Sequence, residues 1–291
     1  MHIYLFDRGD RLGSNITNYI AQILYAYKHC YIIKFMKKKS EYKYYNSIFV
    51  KTLFDYIDKH NEELYKINIQ DENIVRFEDE EDWIFVTSFT LQKLKTDLIT
   101  YFHRNIYNTI QDNFTNLSFK YNIPFDINKT ILVHLRLDDV VNNRFNYHND
   151  YDGSICSEYY KRKISNNKTC KVEFYHRINN QAPLSKDKID TIINKAKKEF
   201  PGYKVLLLTS PISDTSFLDY DFIKSKDESF DLFLLTMCNV TILSRSTYAL
   251  SSVFFNKNKV KTYIPLWGHF VCTGLNTIYD KNDKNKIEYF Y

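Results

Sequence analysis

His134, Arg136, Asp138 and Asp139 fall within six positions, at the end of the stretch TILVHLRLDDV over 130–140. An imidazole, a guanidinium and two carboxylates at that spacing can do chemistry. The planar fork of an arginine grips phosphate through parallel hydrogen bonds, which makes Arg136 a natural anchor for a nucleotide diphosphate. The plainer alternative is an Arg–Asp ion pair that closes a surface turn. Ile131, Leu132 and Val133 just ahead form a short apolar, partly β-branched run that reads as a strand. Polar groups at its carboxyl end stand where open α/β sheets bind ligands. They are costly to bury unless something pairs with them.

Elements of the right kind to position such a site recur along the chain. Strands are expected over 2–6, 31–36, 83–86, 171–175, 204–208, 240–243 and 260–264. Helices are expected from Ile16 onward and over 47–64, 91–117, 157–164, 185–200, 227–238 and 248–255. Ser185 has the position of an N-cap, and Lys195, Lys197 and Lys198 suit the far end of that helix. Strands alternating with helices predict a parallel α/β sheet. The weakly periodic stretch 118–129, with Pro124, predicts a crossing from a first domain, 1–122, to a second, 123–291.

Polar residues gather at strand ends elsewhere too, as Thr209-Ser210 and as Ser244-Arg245-Ser246-Thr247. The loop from Asp7 to Asn15 holds Gly9 and Gly13, two of the six glycines in the chain. With a helix expected from Ile16, Gly13, Ser14 and Asn15 would sit at its N-terminus, as anion ligands or, with Ser14 or Asn15 as N-cap, as a capping turn. The polar run over 141–154 contains His148, Asp150 and Asp152, and it reads as a solvated loop over the site rather than a metal centre. No glycine-rich nucleotide fingerprint, phosphate loop, zinc-protease helix or nucleophile elbow is present.

A net charge of +5 over 291 residues suits a phosphate-bearing ligand and is too weak for a nucleic-acid binder. The 25 tyrosines and 22 phenylalanines match a Lys-, Asn- and Ile-rich coding bias and do not by themselves argue for sugar stacking. Five cysteines without CxxC spacing predict buried free thiols in a reducing compartment. No apolar run approaches the roughly 18–20 residues of a membrane span. Acid follows the first few residues in place of a secretory leader, so the expectation is a cytoplasmic protein of bacterial or viral type with no integral membrane segment.

Three segments together resemble the fucosyltransferase superfamily, which contains the α-1,2-, α-1,6- and protein-O-fucosyltransferases. They are the strand followed by H-x-R-x-x-D, as His134, Arg136 and Asp139; the loop Leu12-Gly13-Ser14-Asn15, a loose match to G-x-G-N-Q; and Asp231, Cys238, a strand over 240–243, then Ser246-Thr247. The resemblance leaves about 36–120 unmatched. It implies a GT-B-like fold of two Rossmann-like domains facing across a cleft. The first, 1–122, would lie on the acceptor side and the second, 123–291, would bind the GDP-sugar.

The implied reaction is an inverting, metal-independent transfer of L-fucose from GDP-fucose to the hydroxyl of an oligosaccharide or glycan acceptor, best matched to an α-1,2 linkage. No cofactor is needed beyond the donor substrate. His134, Arg136, Asp139, Asp231, Ser246, Thr247, Gly13 and Asn15 would hold the donor. Arg136 would stabilise the leaving diphosphate, and Asp10, Asp150 or Asp152 would serve the acceptor as base. The chain departs from the pattern at Leu137, where many relatives have a second arginine, and at Thr209-Ser210-Pro211, where many have Ser-Asp-Asp-Pro. Those departures open the alternatives of a GT-B transferase for another sugar nucleotide, or a non-catalytic glycan- or nucleotide-binding relative.

Overall fold

The computed structural model describes residues 1–7, 11–66, 123, 125–137, 183–213, 215–216, 218–225, 227–255, 259–265 and 286–290. The chain divides into two compact units, Met1–Asn122 with Thr277–Asp280, and Ile123–Asn276 with Lys281–Tyr291. Both are mixed α/β with parallel strands. The strands expected over 83–86 and 171–175, and the helices over 91–117 and 157–164, lie outside the described residues.

In the first unit, β1 (His2–Leu5) pairs in parallel with β2 (Ile32–Phe35), joined by α1 (Leu12–His29) and followed by α2 (Ile48–Lys66). The helix α1 begins at Leu12, earlier than its expected start at Ile16. Leu12 is buried one turn ahead of Ile16, so the apolar face already runs through the glycine–asparagine segment. At the other end, Cys30 takes a left-handed φ of 55°, and Tyr31 N–H returns to the Ala26 carbonyl at 2.8 Å. This is a Schellman closure with cysteine in the usual glycine place. It leaves the Cys30 thiol free but exposed, where a buried one was expected, while Cys238 is free and buried.

Among its described residues the second unit holds six parallel strands in the order β5-β4-β3-β6-β7-β8. They are β3 (Thr130–His134), β4 (Lys204–Thr209), β5 (Asp221–Lys224), β6 (Val240–Ile242), β7 (Lys261–Pro265) and β8 (Ile287–Phe290). Counted from β3, the spatial order is third, second, first, fourth, fifth, sixth, which is the order of a doubly wound dinucleotide-binding sheet. Between the strands come α3 (Lys186–Glu199), α4 (Glu228–Met237) and the single-turn α5 (Thr247–Ser251).

The α3 stripe Ile189, Ile192, Ile193 and Ala196 recurs at helical spacing and packs on Ile131, Val133, Leu207, Val240 and Ile242 of the sheet. Each such branched side chain taken from water contributes on the order of 1.5–3 kcal/mol. Ser185 caps α3 by accepting from Lys188 N–H, as expected from its place ahead of the apolar stripe. β5 and β8 were not expected. Both are edge strands, half-buried and mixed in polarity, so they lack the apolar run that marks the central ones.

Candidate functional site

The site is built at the carboxyl ends of β3 and β6. Ile131, Val133, Leu135 and Leu137 alternate into the α3-facing core, which turns Leu132 and His134 to the opposite face. The chain lays β4 and β5 on one side of β3, then returns to place β6 on the other. β3 and β6 therefore flank the point where strand order reverses, and open α/β sheets bind ligands in the crevice beyond it.

A hydrogen bond closes this crevice. His134 Nδ1 lies 2.7 Å from Ser244 Oγ, linking residues 110 apart in sequence. His134 is 9% exposed, and burial, aided by the Arg136 charge, holds its pKa down to about 3. The imidazole is thus neutral near pH 7, and Nε2 is the nitrogen left by its bond to Ser244. Arg136, two residues on, is half-buried.

This burial has a consequence for acid stability. In the unfolded chain the imidazole titrates near its ordinary 6.5, so below that pH the unfolded state takes up a proton that the folded state refuses. Stability is expected to fall as pH drops from 6.5 toward 3, with His134 contributing about 2 kcal/mol of loss between pH 7 and pH 5. His134→Gln should remove that part of the loss, measured as urea midpoints at the two pH values. An unchanged pH dependence would show the ring to be freely protonated in the fold. His60, which burial also holds below its usual range, keeps its own smaller contribution in both proteins.

The β6 turn supplies the other wall. Ser244, Arg245 and Ser246 are buried, and Ser246 N–H bonds the Ser244 carbonyl at 2.8 Å. Ser246 is the N-cap of α5 with no side-chain cap bond, and Thr247 is the first residue of that helix. The Tyr248 ring is tilted against His134 at 5.8 Å, and its hydroxyl donates to the Glu228 carbonyl in the first turn of α4. Tyr248 thereby joins the end of β3 to the turn that carries Asp231.

Asp231 has a buried Oδ1 with no hydrogen-bond partner. Burial, with Asp227 and Glu228 adding to it and a Ser225 hydrogen bond opposing it, pushes its pKa up to about 7. Near neutral pH this carboxyl is therefore both donor and acceptor.

The second unit holds His134, Arg136, Asp231, Ser246 and Thr247; the links it shows run from His134 to Ser244 and Tyr248, and from Tyr248 to Glu228 in the helix turn that carries Asp231. Ser244, Arg245 and Tyr248 join them without having been given a role from the sequence. Their signal was present, as a charged residue between two serines directly after an apolar strand. Gly13 and Asn15 belong to the first unit, inside the first turn of α1. The Asn15 amide is buried there and donates to the Arg11 carbonyl at 3.1 Å, while the Gly13 carbonyl accepts from the Thr17 hydroxyl at 3.0 Å. Neither Ser14 nor Asn15 is an N-cap, since the helix starts ahead of both.

Asp10, Asp139, Asp150 and Asp152 lie outside the described residues, as does His148. Among the described residues no group of three or more His, Cys, Asp or Glu side chains is arranged to hold a metal. None of the described helices is long and apolar enough to cross a membrane. Comparison of the chain with protein-family models, curated proteins and solved structures finds no match.

Proposed function

We propose that this protein is a glycosyltransferase that takes its donor as a nucleotide sugar, GDP-fucose, and passes the sugar to a glycan hydroxyl with inversion. The observation that carries this reading is the H-x-R segment at the end of the strand where sheet order reverses, tied across to the β6 turn by His134 and Ser244. As the glycosidic bond breaks, negative charge grows on the departing diphosphate, and the guanidinium of Arg136 would stabilise it. Neutral His134 and the hydroxyls of Ser246 and Thr247 would fix the phosphate and sugar oxygens. Asp231, about half protonated near neutrality, would meet the ribose or an edge of the base. The acceptor proton would pass to a carboxylate, with Asp10, Asp150 and Asp152 as the candidates, in a GT-B-like pairing of an acceptor-side unit with the donor-side one.

A second reading, transfer from a different sugar nucleotide, draws support from the turn after β4. There Thr209 Oγ1 donates to Ser213 Oγ at 3.1 Å and Lys224 Nζ donates to the Ser213 carbonyl at 3.1 Å. Those described residues offer hydroxyls and an ammonium where carboxylates would favour guanine.

Thermal shift with GDP, UDP, ADP and CMP separates the two. A nucleotide present at about 100 times its dissociation constant stabilises by about 2.7 kcal/mol, a rise of several degrees. GDP alone is expected to give that rise, and GDP-fucose is expected to release GDP on incubation with a glycan acceptor. A rise with UDP instead would keep the transferase and discard fucose. Binding without any turnover would leave a non-catalytic relative.

A further inference from the structure

Ser244 is not among the residues given to the donor, yet it decides which nitrogen of His134 carries the proton. Its hydroxyl oxygen lies 2.7 Å from His134 Nδ1, and both residues are buried. Two arrangements satisfy that distance. In one, Nδ1–H donates to Oγ. In the other, the hydroxyl donates to Nδ1 and the ring proton sits on Nε2.

Counting donors and acceptors separates the two. Among the described residues, the Ser244 hydroxyl has no acceptor other than Nδ1. With Nδ1 as donor, the hydroxyl proton would be left buried and unpaired, and an unmade buried bond costs more than a typical one contributes. With the hydroxyl as donor, both groups are satisfied. The imidazole is uncharged near pH 7 and so holds one proton, which is then on Nε2. Tyr248 packs on the same ring at 5.8 Å, and turning the ring over would break the bond to Ser244. Nε2 itself has no hydrogen-bond partner among the described residues, and it is not one of their enclosed unpaired atoms, so a ligand atom can reach it.

We propose that Ser244 is a positioning residue that locks His134 as its Nε2–H tautomer, so that the end of β3 presents a neutral N–H donor to a ligand oxygen. The lock stands on the His134–Ser244 geometry, while the assignment of that oxygen to a nucleotide sugar rests on the nucleotide-sugar reading. A nitrogen held as N–H donates and does not accept. His134 therefore binds through Nε2 and leaves the acceptor's proton to a carboxylate.

The test is long-range proton–nitrogen NMR of the histidine rings in the full chain at pH 7, with the His134 signals identified by their loss in His134→Gln. The parent is expected to show a protonated Nε2 and a bare Nδ1. Ser244→Ala should give a mixture of tautomers and, by titration calorimetry, weaken GDP several-fold. Ser244→Thr keeps the hydroxyl and should restore both the single tautomer and the affinity, which a merely structural role for Ser244 would not require. Circular dichroism checks each fold, and if the alanine variant does not fold, the parent spectrum decides alone. A parent with its proton on Nδ1 overturns the proposal, and so does a folded Ser244→Ala that keeps the Nε2–H tautomer or the full affinity for GDP. An Nε2–H tautomer that depends on Ser244, in a protein that binds none of GDP, UDP, ADP or CMP, would uphold the lock and sink the nucleotide-sugar reading.

Discussion

On the proposed GDP-fucose reading, replacing Arg136 by alanine is expected to slow release of GDP from GDP-fucose by about a thousandfold, in a protein that remains folded. The size follows from where the charge develops. A diphosphate leaving group gains negative charge only as the sugar–oxygen bond stretches, so a fixed cation beside it stabilises the transition state more than the ground state. The loss should therefore appear mainly in kcat, with a smaller change in KM. Arg136→Lys keeps a positive charge but not the bidentate fork, and it should recover part of the rate.

Folding is spared because Arg136 stands beyond the last residue of β3 and its flanking Leu135 and Leu137 hold the core contacts. The variant also reports on geometry. Part of the depression of the His134 pKa comes from Arg136, so the ring should titrate somewhat higher by NMR in Arg136→Ala, though burial keeps it below its ordinary range. Near-normal turnover in a folded variant would remove Arg136 from the reaction.

The largest stability effect is expected at the opposite end of the sheet, at Lys259. Its side chain is fully buried, and its Nζ donates to the carbonyls of Leu235 and Cys238, the latter at 3.1 Å, and to Thr241 Oγ1 at 3.2 Å. Both carbonyls belong to the last turn and C-cap of α4, where helical partners run out and a cation is favourable. Lys259→Ala opens a cavity and leaves buried acceptors without a donor, at a cost of about 3–5 kcal/mol, or a melting temperature lower by about 10 °C.

Lys259→Met, which fills the space but cannot donate, should lose less. It also tests the charge. Burial holds the ammonium down to about 7, so between that value and its ordinary 10.5 the unfolded chain binds a proton that the folded chain gives up. Stability of the parent is expected to rise by about 2 kcal/mol from pH 7 to pH 9 on this account, and Lys259→Met should lack the rise. Urea midpoints at both pH values measure it. A methionine variant with the full rise would place the titrating group elsewhere.

Local features of the chain carried much of the second unit. The apolar run ahead of His134 marks β3, Ser185 ahead of a 3.6-residue stripe marks the start of α3, and Pro201-Gly202 marks its end, with Gly202 at a φ of +81°. Spacing, capping and turn chemistry act over a few residues, so each is readable before anything folds. The same holds for the clustering of His134 and Arg136 at a strand end, which follows from strand length alone.

What the sequence could not decide depends on partners distant along the chain. Strand order is set by which apolar faces fit one another, and here it puts β6 rather than β4 across the reversal from β3. Only that choice brings Ser244 to His134 and lays Tyr248 against the imidazole. Nothing local marks Lys259, which tertiary packing buries against the end of α4. The edge strands β5 and β8, mixed in polarity, become strands because a neighbour offers them a ladder of hydrogen bonds. Local pattern determined which segments are strands and helices, while long-range burial and pairing decided which of their polar ends share one site.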